Sequence, residues 1–320
     1  MKEFEISNIK IKNQYVQAPL AGYTTYPMRA LAFKYGCSLA YTEMVSCNAI
    51  AYHNKKTLET MLPHKKENGL VALQLFGSSL EEILYSVKYV EEHAVFDFLD
   101  FNLGCPVQKV IKQHAGSYLL DHQDDLYNIF SKVTKLSSHP VLAKIRLGYK
   151  TFNHVSIAKT LEEAGVKGLA IHGRLQKEMF AGPVHYDLIN EVKRNVNIPI
   201  IANGNITVDN IDEVRKITNA DAFMFGRDAI GYPKLFEDLI NKEEGKPIRP
   251  RNLKEQINLL IEHLKMLIED EGEKNACLMM RSISSFYLKN LDDVKNIRMQ
   301  LVRANTLQEY LDILNPLIDQ

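Results

Sequence analysis

Eight short apolar runs between Tyr15 and Arg227 alternate with stretches of helical periodicity, and that alternation limits the folds open to the chain more than any other feature. The runs are Tyr15–Ala18, Leu39–Ser46, Leu70–Gly77, Phe98–Pro106, Val141–Gly148, Gly168–Arg174, Ile198–Gly204 and Ala220–Arg227. Strands separated by helices return to one sheet in parallel, so the pattern reads as βαβ units. Eight such units within about 250 residues match a closed (β/α)8 arrangement. The expected class is α/β, a TIM barrel. Between the runs, Ser79-Leu-Glu-Glu82 makes a capping box ahead of Ile83, Leu84, Val87 and Val90 on one helical face. Asp124–Leu136, His154–Ala164, Tyr186–Val196 and Thr207–Ile217 repeat the helical spacing. The 48–66 segment reads as a short helix, a loop over the barrel mouth, or both.

Past the eighth run, Asn241–Pro250 is charged and holds one Gly and two Pro, which reads as a linker. From Leu253 the pattern is helical: Leu253–Asp270, Asn275–Lys289, Val294–Ala304 and a closing helix from Leu307. About 70 residues are too many for a capping helix and suit a small bundle. The expected division is a barrel over 1–243 and an all-helical unit over 244–320.

With 46% hydrophobic residues in 320, the chain has enough apolar material for a barrel-sized core. No apolar stretch has the length of a membrane span and the N-terminus lacks a signal-peptide pattern, so a cytoplasmic protein is expected. Cys37, Cys47, Cys105 and Cys277 are far apart, with no C-x-x-C and no His at ligand spacing. Neither a metal site nor a disulfide framework is expected, and reduced thiols are the default. A net charge of zero rules out the overall basic field of a general nucleic-acid binder, which leaves any RNA site to a local patch.

In parallel barrels the carboxyl ends of the strands build the active site. Here those ends hold Pro19, Glu43, Gln74, Asn102, Cys105, Lys144, Arg146, His172, Arg174, Asn203 and Arg227. The fourth run is the most telling: Phe98, Leu99 and Phe101 are strand-like, Gly104 and Pro106 stop the strand, and Cys105 is left on a loop three residues after Asn102. Cys105 with Asn102 is a candidate catalytic pair; a structural Cys packed beneath a turn fits the same residues. Lys144 inside an apolar run needs an anion or an acceptor, either a ligand or a barrel carboxylate. His172 serves equally as a buried core histidine.

Asn203-Gly204-Asn205 and Gly226-Arg227 put glycines at the ends of strands seven and eight, ahead of expected helix starts. Loops at that place commonly bind phosphate through main-chain N–H groups, and Arg227 adds a charge-assisted contact. A phosphate-bearing cofactor or substrate is inferred.

These residues sit in longer stretches that resemble the tRNA-dihydrouridine synthases, and among them the bacterial B-type branch. The stretches are APLAGYTTYPMR, YTEMVS, ALQLFG, NLGCPVQKVIKQHAGSYLL, AKIRLGY, IHGRLQKEMFAGPVHYDLI, PIIANGNI and MFGRDAIGYPKLF. In the C-terminal unit, MRSISSFYLKNL and IRMQLVRANTLQEYLDIL are similar to that family's helical RNA-binding domain. The N-x-G-C-P stretch with its downstream A-G-S-x-L-L is the most specific of these.

The resemblance implies an FMN enzyme that reduces the C5–C6 bond of a uridine in tRNA, with NADPH as electron source. Cys105 is then the proton donor to C5, a role that suits a thiol still protonated at neutral pH. Lys144, Gln74 and His172 meet the flavin ring, Pro19, Leu20 and Ala21 pack beside it, and Asn203, Gly204, Asn205, Gly226 and Arg227 hold the phosphate. Asn102 reads the uracil edge, with Lys109 and Arg174 as candidate RNA contacts. In the helical unit Arg281, Lys289, Lys295, Arg298 and Arg303 are candidate phosphate contacts, although Asp292 and Asp293 lie among them and a solvated face has the same pattern. The implied partner is tRNA with its target base flipped out, with no membrane, metal or obligate protein partner.

The chain departs from the family pattern at Leu20 (commonly Met), Thr25-Tyr26 (Asp-Arg), Asn205 (Asp), Phe286 (Trp) and Asn290 (Gly). Alternatives are the same chemistry on ribosomal RNA and an FMN-dependent dehydrogenase of free pyrimidines or dihydroorotate. A barrel that has kept RNA binding and lost catalysis, and a phosphosugar isomerase, fit fewer of the residues.

Overall fold

The computed structural model describes residues 2–289 and 294–318. It opens with an antiparallel hairpin, β1 (Phe4–Ile6) and β2 (Ile9–Ile11). Nine parallel strands follow: β3 (Tyr15–Gln17), β4 (Leu39–Tyr41), β5 (Val45–Ser46), β6 (Leu70–Phe76), β7 (Phe98–Leu103), β8 (Val141–Arg146), β9 (Gly168–His172), β10 (Ile200–Asn203) and β11 (Ala222–Phe225). Their order is β4-β3-β11-β10-β9-β8-β7-β6-β5, and β4 also pairs with β6, which closes a barrel of eight. Helices α1 (Tyr26–Lys34), α2 (Cys47–Ala51), α3 (Leu80–His93), α4 (Gln108–Ile111), α5 (Gln123–Leu136), α6 (His154–Glu163), α7 (Tyr186–Asn195), α8 (Ile211–Thr218) and α9 (Leu235–Glu243) belong to the connections. The closed (β/α)8 barrel is the architecture expected from the alternating runs.

Two elements depart from the sequence reading, at Leu39–Ser46 and after Gly226. The run Leu39–Ser46 is two strands, because at Thr42 the side-chain Oγ1 accepts the Gln74 N–H at 3.0 Å and interrupts the ladder. The 48–66 segment contains both the short helix α2 and a separate turn at Thr57–Met61. After Gly226 the chain makes only a 3-10 turn, Arg227–Ala229, and α9 starts later at Leu235. The β1–β2 hairpin carried too few residues to register as a pattern; its Ile6 and Ile11 join the apolar floor of the barrel.

Inside the barrel, side chains alternate in and out with period two. The inward set starts apolar, with Val16, Leu39, Tyr41, Ala72, Phe98, Leu142, Ala170, Ile201 and Ala222 in one buried cluster. Two residues further along the same faces come Gln74, Asp100, Lys144, His172 and Asn203. The strand register then lines these up, pairing Gln74 with Asp100, Asn102 with Lys144, and Arg146 with His172, which in turn pairs with Asn203. Phase and register together turn the top of an oily barrel polar.

Beyond the barrel lie α10 (Leu253–Glu271), α11 (Glu273–Tyr287), α12 (Lys295–Leu301) and α13 (Leu307–Leu314). Asn252 caps α10 by accepting the Glu255 N–H. Leu260, Leu264, Met280, Ile283, Tyr287 and Tyr310 form their core, and Met28 and Ile230 of the barrel side enter the same cluster. This shared apolar contact places Phe286 and Lys289 over the barrel mouth.

Candidate active site

A cleft of about 1060 Å3 opens at the carboxyl ends of the strands. Pro19, Leu20, Ala21, Gln74, Asn102, Cys105, Lys144, His172, Asn203, Gly204, Asn205, Gly226 and Arg227 all line it. Lys109 sits exposed on α4, outside the lining. Arg174 is buried at 1% exposure, its Nη2 donating to Gly182 O at 2.7 Å and its Nη1 to His172 Nε2 at 3.3 Å. Its guanidinium therefore ties His172 to the loop at Gly182.

Cys105 owes its place to Asn102. The Asn102 side-chain oxygen accepts the N–H of Gly104 at 3.2 Å and of Cys105 at 2.9 Å, an Asx-type turn that bends the chain off β7. Ser117 Oγ donates to Cys105 O at 2.8 Å, and Arg146 Nε donates to Gly104 O at 2.8 Å. Burial pushes the Cys105 thiol up, against the pull of a main-chain hydrogen bond near Val107 and the cations Arg146 and Lys144. A neutral thiol beside two cations is an acid with a proton to give.

Lys144 Nζ donates to Asn203 Oδ1 at 3.2 Å, and Asn203 Nδ2 donates to Met224 O at 2.9 Å. Burial, with Arg146 close by, lowers Lys144 to about 8, while Asp100 opposes the shift. His172 falls to about 2 through burial and the surrounding charges of Lys144, Arg146, Arg174 and Arg227, so its ring is neutral. Gly204 has φ +120°, and a Cβ there would stand 3.0 Å from His172 Cδ2 and 3.1 Å from Val184 Cγ1. Only glycine lets the imidazole lie against that loop. Asn205 follows at φ 47°, a left-handed conformation that Asn tolerates, and accepts from Arg227 Nη2 at 3.4 Å.

Several site residues had no role in the sequence reading. Arg146 stood at a strand end without an assignment; it ties the Cys105 loop to Leu175 O, where its Nη1 donates at 2.9 Å. The signal for it was the period-two step Leu142, Lys144, Arg146. Phe180 packs near the guanidinium groups of both Arg146 and Arg227, 5.5 and 5.3 Å from its ring centre. Phe180 comes from a loop with no periodicity, so no sequence pattern could have marked it. Asp100, buried on the Asn102 face of β7, was hidden within an apolar run.

Of the basic residues in the helical unit, Arg281 donates to Asn305 and Ala304 O, and Arg298 donates to Leu288 O. Lys295 and Arg303 are exposed. Lys289 lines the cleft and pairs with Asp228 at 3.5 Å. Asn290, Asp292 and Asp293 lie outside the described residues. Among the described residues no cluster of three or more His, Cys, Asp or Glu is arranged to hold a metal, and no helix is long and apolar enough to cross a membrane.

The family model described as "Dihydrouridine synthase (Dus)" matches residues 16–319. The tRNA-dihydrouridine synthase B of Pasteurella multocida is 36% identical over 292 residues, 89% of this chain and 87% of that protein. The protein of the same name from Vibrio cholerae is 33% identical over 321 residues, 98% of each. Among solved structures, a variant of NCR from Zymomonas mobilis aligns with TM-score 0.55 and 17% identity, covering 79% of this chain and 94% of that one. Morphinone reductase in complex with tetrahydroNAD aligns with TM-score 0.52 and 14% identity, covering 78% and 92%. At such identities the structural likeness concerns the barrel fold alone.

Proposed function

The chain belongs to the dihydrouridine synthase family, and from that premise we propose that it reduces the C5–C6 double bond of uridines in tRNA to dihydrouridine, with FMN as cofactor and NADPH as electron donor. The observation that carries this reading is the convergence of a half-buried neutral thiol, Cys105, with Lys144, Arg146 and a neutral His172 on one cleft. The donor set suits a flavin mononucleotide: cations and amides face an apolar wall at Pro19, Leu20 and Ala21, and main chain at Gly204 and Gly226 lies beside Arg227 at the phosphate end.

Held by these residues, FMN in its reduced form would supply the hydride chemistry at C6 of the uracil. The work of the chain is to complete that reduction at C5. Cys105 gives its thiol proton to C5, and burial keeps the thiol protonated until then. Lys144 would place a positive charge by the ring system, and Gln74 and His172, which line the same cleft, would hydrogen-bond its edge. Asn102 uses one Nδ2 hydrogen on Gln74 Oε1 at 3.0 Å and keeps the other for the uracil edge. A base inside a stack cannot reach this depth, so the target is a flipped nucleotide from a weakly paired loop. The division of labour follows: residues 1–243 hold the flavin and do the chemistry, and residues 244–320 grip the RNA body, with Lys289 at the boundary and Lys295 and Arg303 further out. Lys109 reaches RNA at the rim, and Arg174 acts through His172. The activity is cytoplasmic, where its substrate is.

Nucleotide-resolution mapping of dihydrouridine in RNA from cells with and without the gene tests the proposal. Loss at defined tRNA loop positions is expected. Loss in ribosomal RNA would keep the chemistry and overturn the substrate; no loss, with no second homologue in the cell, would favour a dehydrogenase of free pyrimidines. Cys105→Ala should keep the yellow flavin absorbance and lose about 10² to 10⁴ of its turnover on unmodified tRNA. Turnover close to that of the parent would remove Cys105 from its role.

A further inference from the structure

One buried carboxylate has no part in the chemistry described so far. Asp100 is fully enclosed and lies two residues before Asn102 on β7. Its Oδ2 accepts from Gln74 Nε2 at 2.7 Å, Gln74 Oε1 accepts from Asn102 Nδ2 at 3.0 Å, and Asn102 Oδ1 accepts from the N–H of Cys105 at 2.9 Å. Two primary amides thus link a carboxylate to the main chain of the proton donor.

Such a chain has a direction. An ionised carboxylate only accepts, so Gln74 must turn its NH2 toward Asp100 and its oxygen away. Asn102 must then present its own NH2 to that oxygen, which leaves its carbonyl facing the loop. The last link is the one that holds Gly104 and Cys105. A protonated Asp100 brings a donor to the Gln74 amide and weakens that link, while the N–H groups of Gly104 and Cys105 still hold the Asn102 carbonyl toward the loop.

We propose that Asp100 is a positioning residue: as an acceptor it strengthens the hydrogen bonds that run through Gln74 and Asn102 to the main chain of Gly104 and Cys105, and so steadies the loop that presents the Cys105 thiol. The functional consequence rests on the reading of Cys105 as the proton donor; the linkage itself does not. The groups that face Asp100 are Gln74 on β6, Lys144 on β8 and Tyr41 on β4. Burial raises Asp100 to about 7, held from rising further by the Gln74 hydrogen bond and the Lys144 charge. Asp100 Oδ1 and the Tyr41 hydroxyl have no hydrogen-bond partner among the described residues, so nothing else fixes the carboxylate as an acceptor. The loop is therefore held more firmly on the alkaline side of this titration than on the acid side.

The test uses flavin-free protein labelled with 15N at cysteine, which gives four amide signals. The Cys105 N–H resonance is expected to move with pH around a midpoint near 7. In Asp100→Asn that step should vanish, leaving only the response to Lys144 and the thiol at higher pH. An unchanged step in Asp100→Asn, or no step in the parent protein, overturns the proposal. Should Asp100→Asn fail to fold, Asn102→Ala serves: it keeps Asp100, lacks the last link, and must lose the step as well; a retained step overturns the proposal. On loaded enzyme, Asp100→Asn should lower kcat about 10²-fold with little change in KM for RNA, as expected of a misplaced donor. A reversed split, with KM raised and kcat kept, counts against it. Because the resonance needs neither flavin nor RNA, a failure of the linkage is distinguishable from a failure of the assigned reaction, which dihydrouridine mapping reads separately.

Discussion

At the scale of single residues, the buried titratable groups make opposite demands on pH. Burial and surrounding cations hold His172 at about 2, and burial alone holds His263 at about 3, whereas an unfolded imidazole titrates near 6.5. Below about 6.5 the unfolded chain takes up protons that the folded chain refuses, so stability falls as pH falls, by about 1.4 kcal/mol per pH unit for each such histidine. His263→Leu should therefore flatten the acid limb of a stability-versus-pH curve measured by chemical denaturation. At neutral pH the same variant should lose about 1–3 kcal/mol, because the hydroxyl of Tyr287, 2.9 Å from His263 Nδ1, is left unpaired. Asp100 has the opposite sign: its pKa is raised by folding from 3.8 to about 7, so its contribution erodes as pH rises through that window. The melting temperature of Asp100→Asn should gain on that of the parent protein between about pH 4 and pH 7 and hold the difference above it.

At the scale of elements, Gly231 governs how the helical unit meets the barrel. It has φ +65°, and a Cβ there would lie 2.4 Å from the backbone N of Tyr287 and 2.6 Å from the backbone C of Phe286. Main chain cannot yield as a side-chain tip can, so α11 has to shift. Gly231→Ala should cost more than about 1 kcal/mol in thermal unfolding and weaken tRNA binding in a filter assay, while flavin content stays near that of the parent. A variant that binds RNA normally would mean that α11 has no part in holding it. The elements themselves were largely legible in the sequence. Long amphipathic stretches such as α3 and α5 carried enough repeats to be read, and Ser79, which accepts from Glu82 N, marked the start of α3. The β1–β2 hairpin and the break at Thr42 were not legible, since three-residue strands hold too little periodicity and a side-chain hydrogen bond leaves none.

At the scale of the whole molecule, a chain of zero net charge gathers Lys144, Arg146, Arg174 and Arg227 about one cleft and continues it with Lys289 from the helical unit. Under the proposed function, attraction for an RNA strand would be local and centred on the mouth of this cleft. Lys289→Ala should weaken tRNA binding, reduce the slope of log K against log salt by about 1, and leave the melting temperature close to that of the parent, since its exposed pairing with Asp228 at 3.5 Å contributes little to folding. What the sequence determined by itself was the barrel, the helical unit after it, and the strand ends on which Cys105, Lys144 and His172 stand, because period-two and helical spacing are properties of neighbouring residues. Tertiary structure decided which of those side chains meet. Strand register brought Asn102 beside Lys144, Arg146 beside His172 and Asp100 beside Gln74, and burial turned Arg174 inward. These contacts join residues far apart in the chain, and no local pattern encodes them.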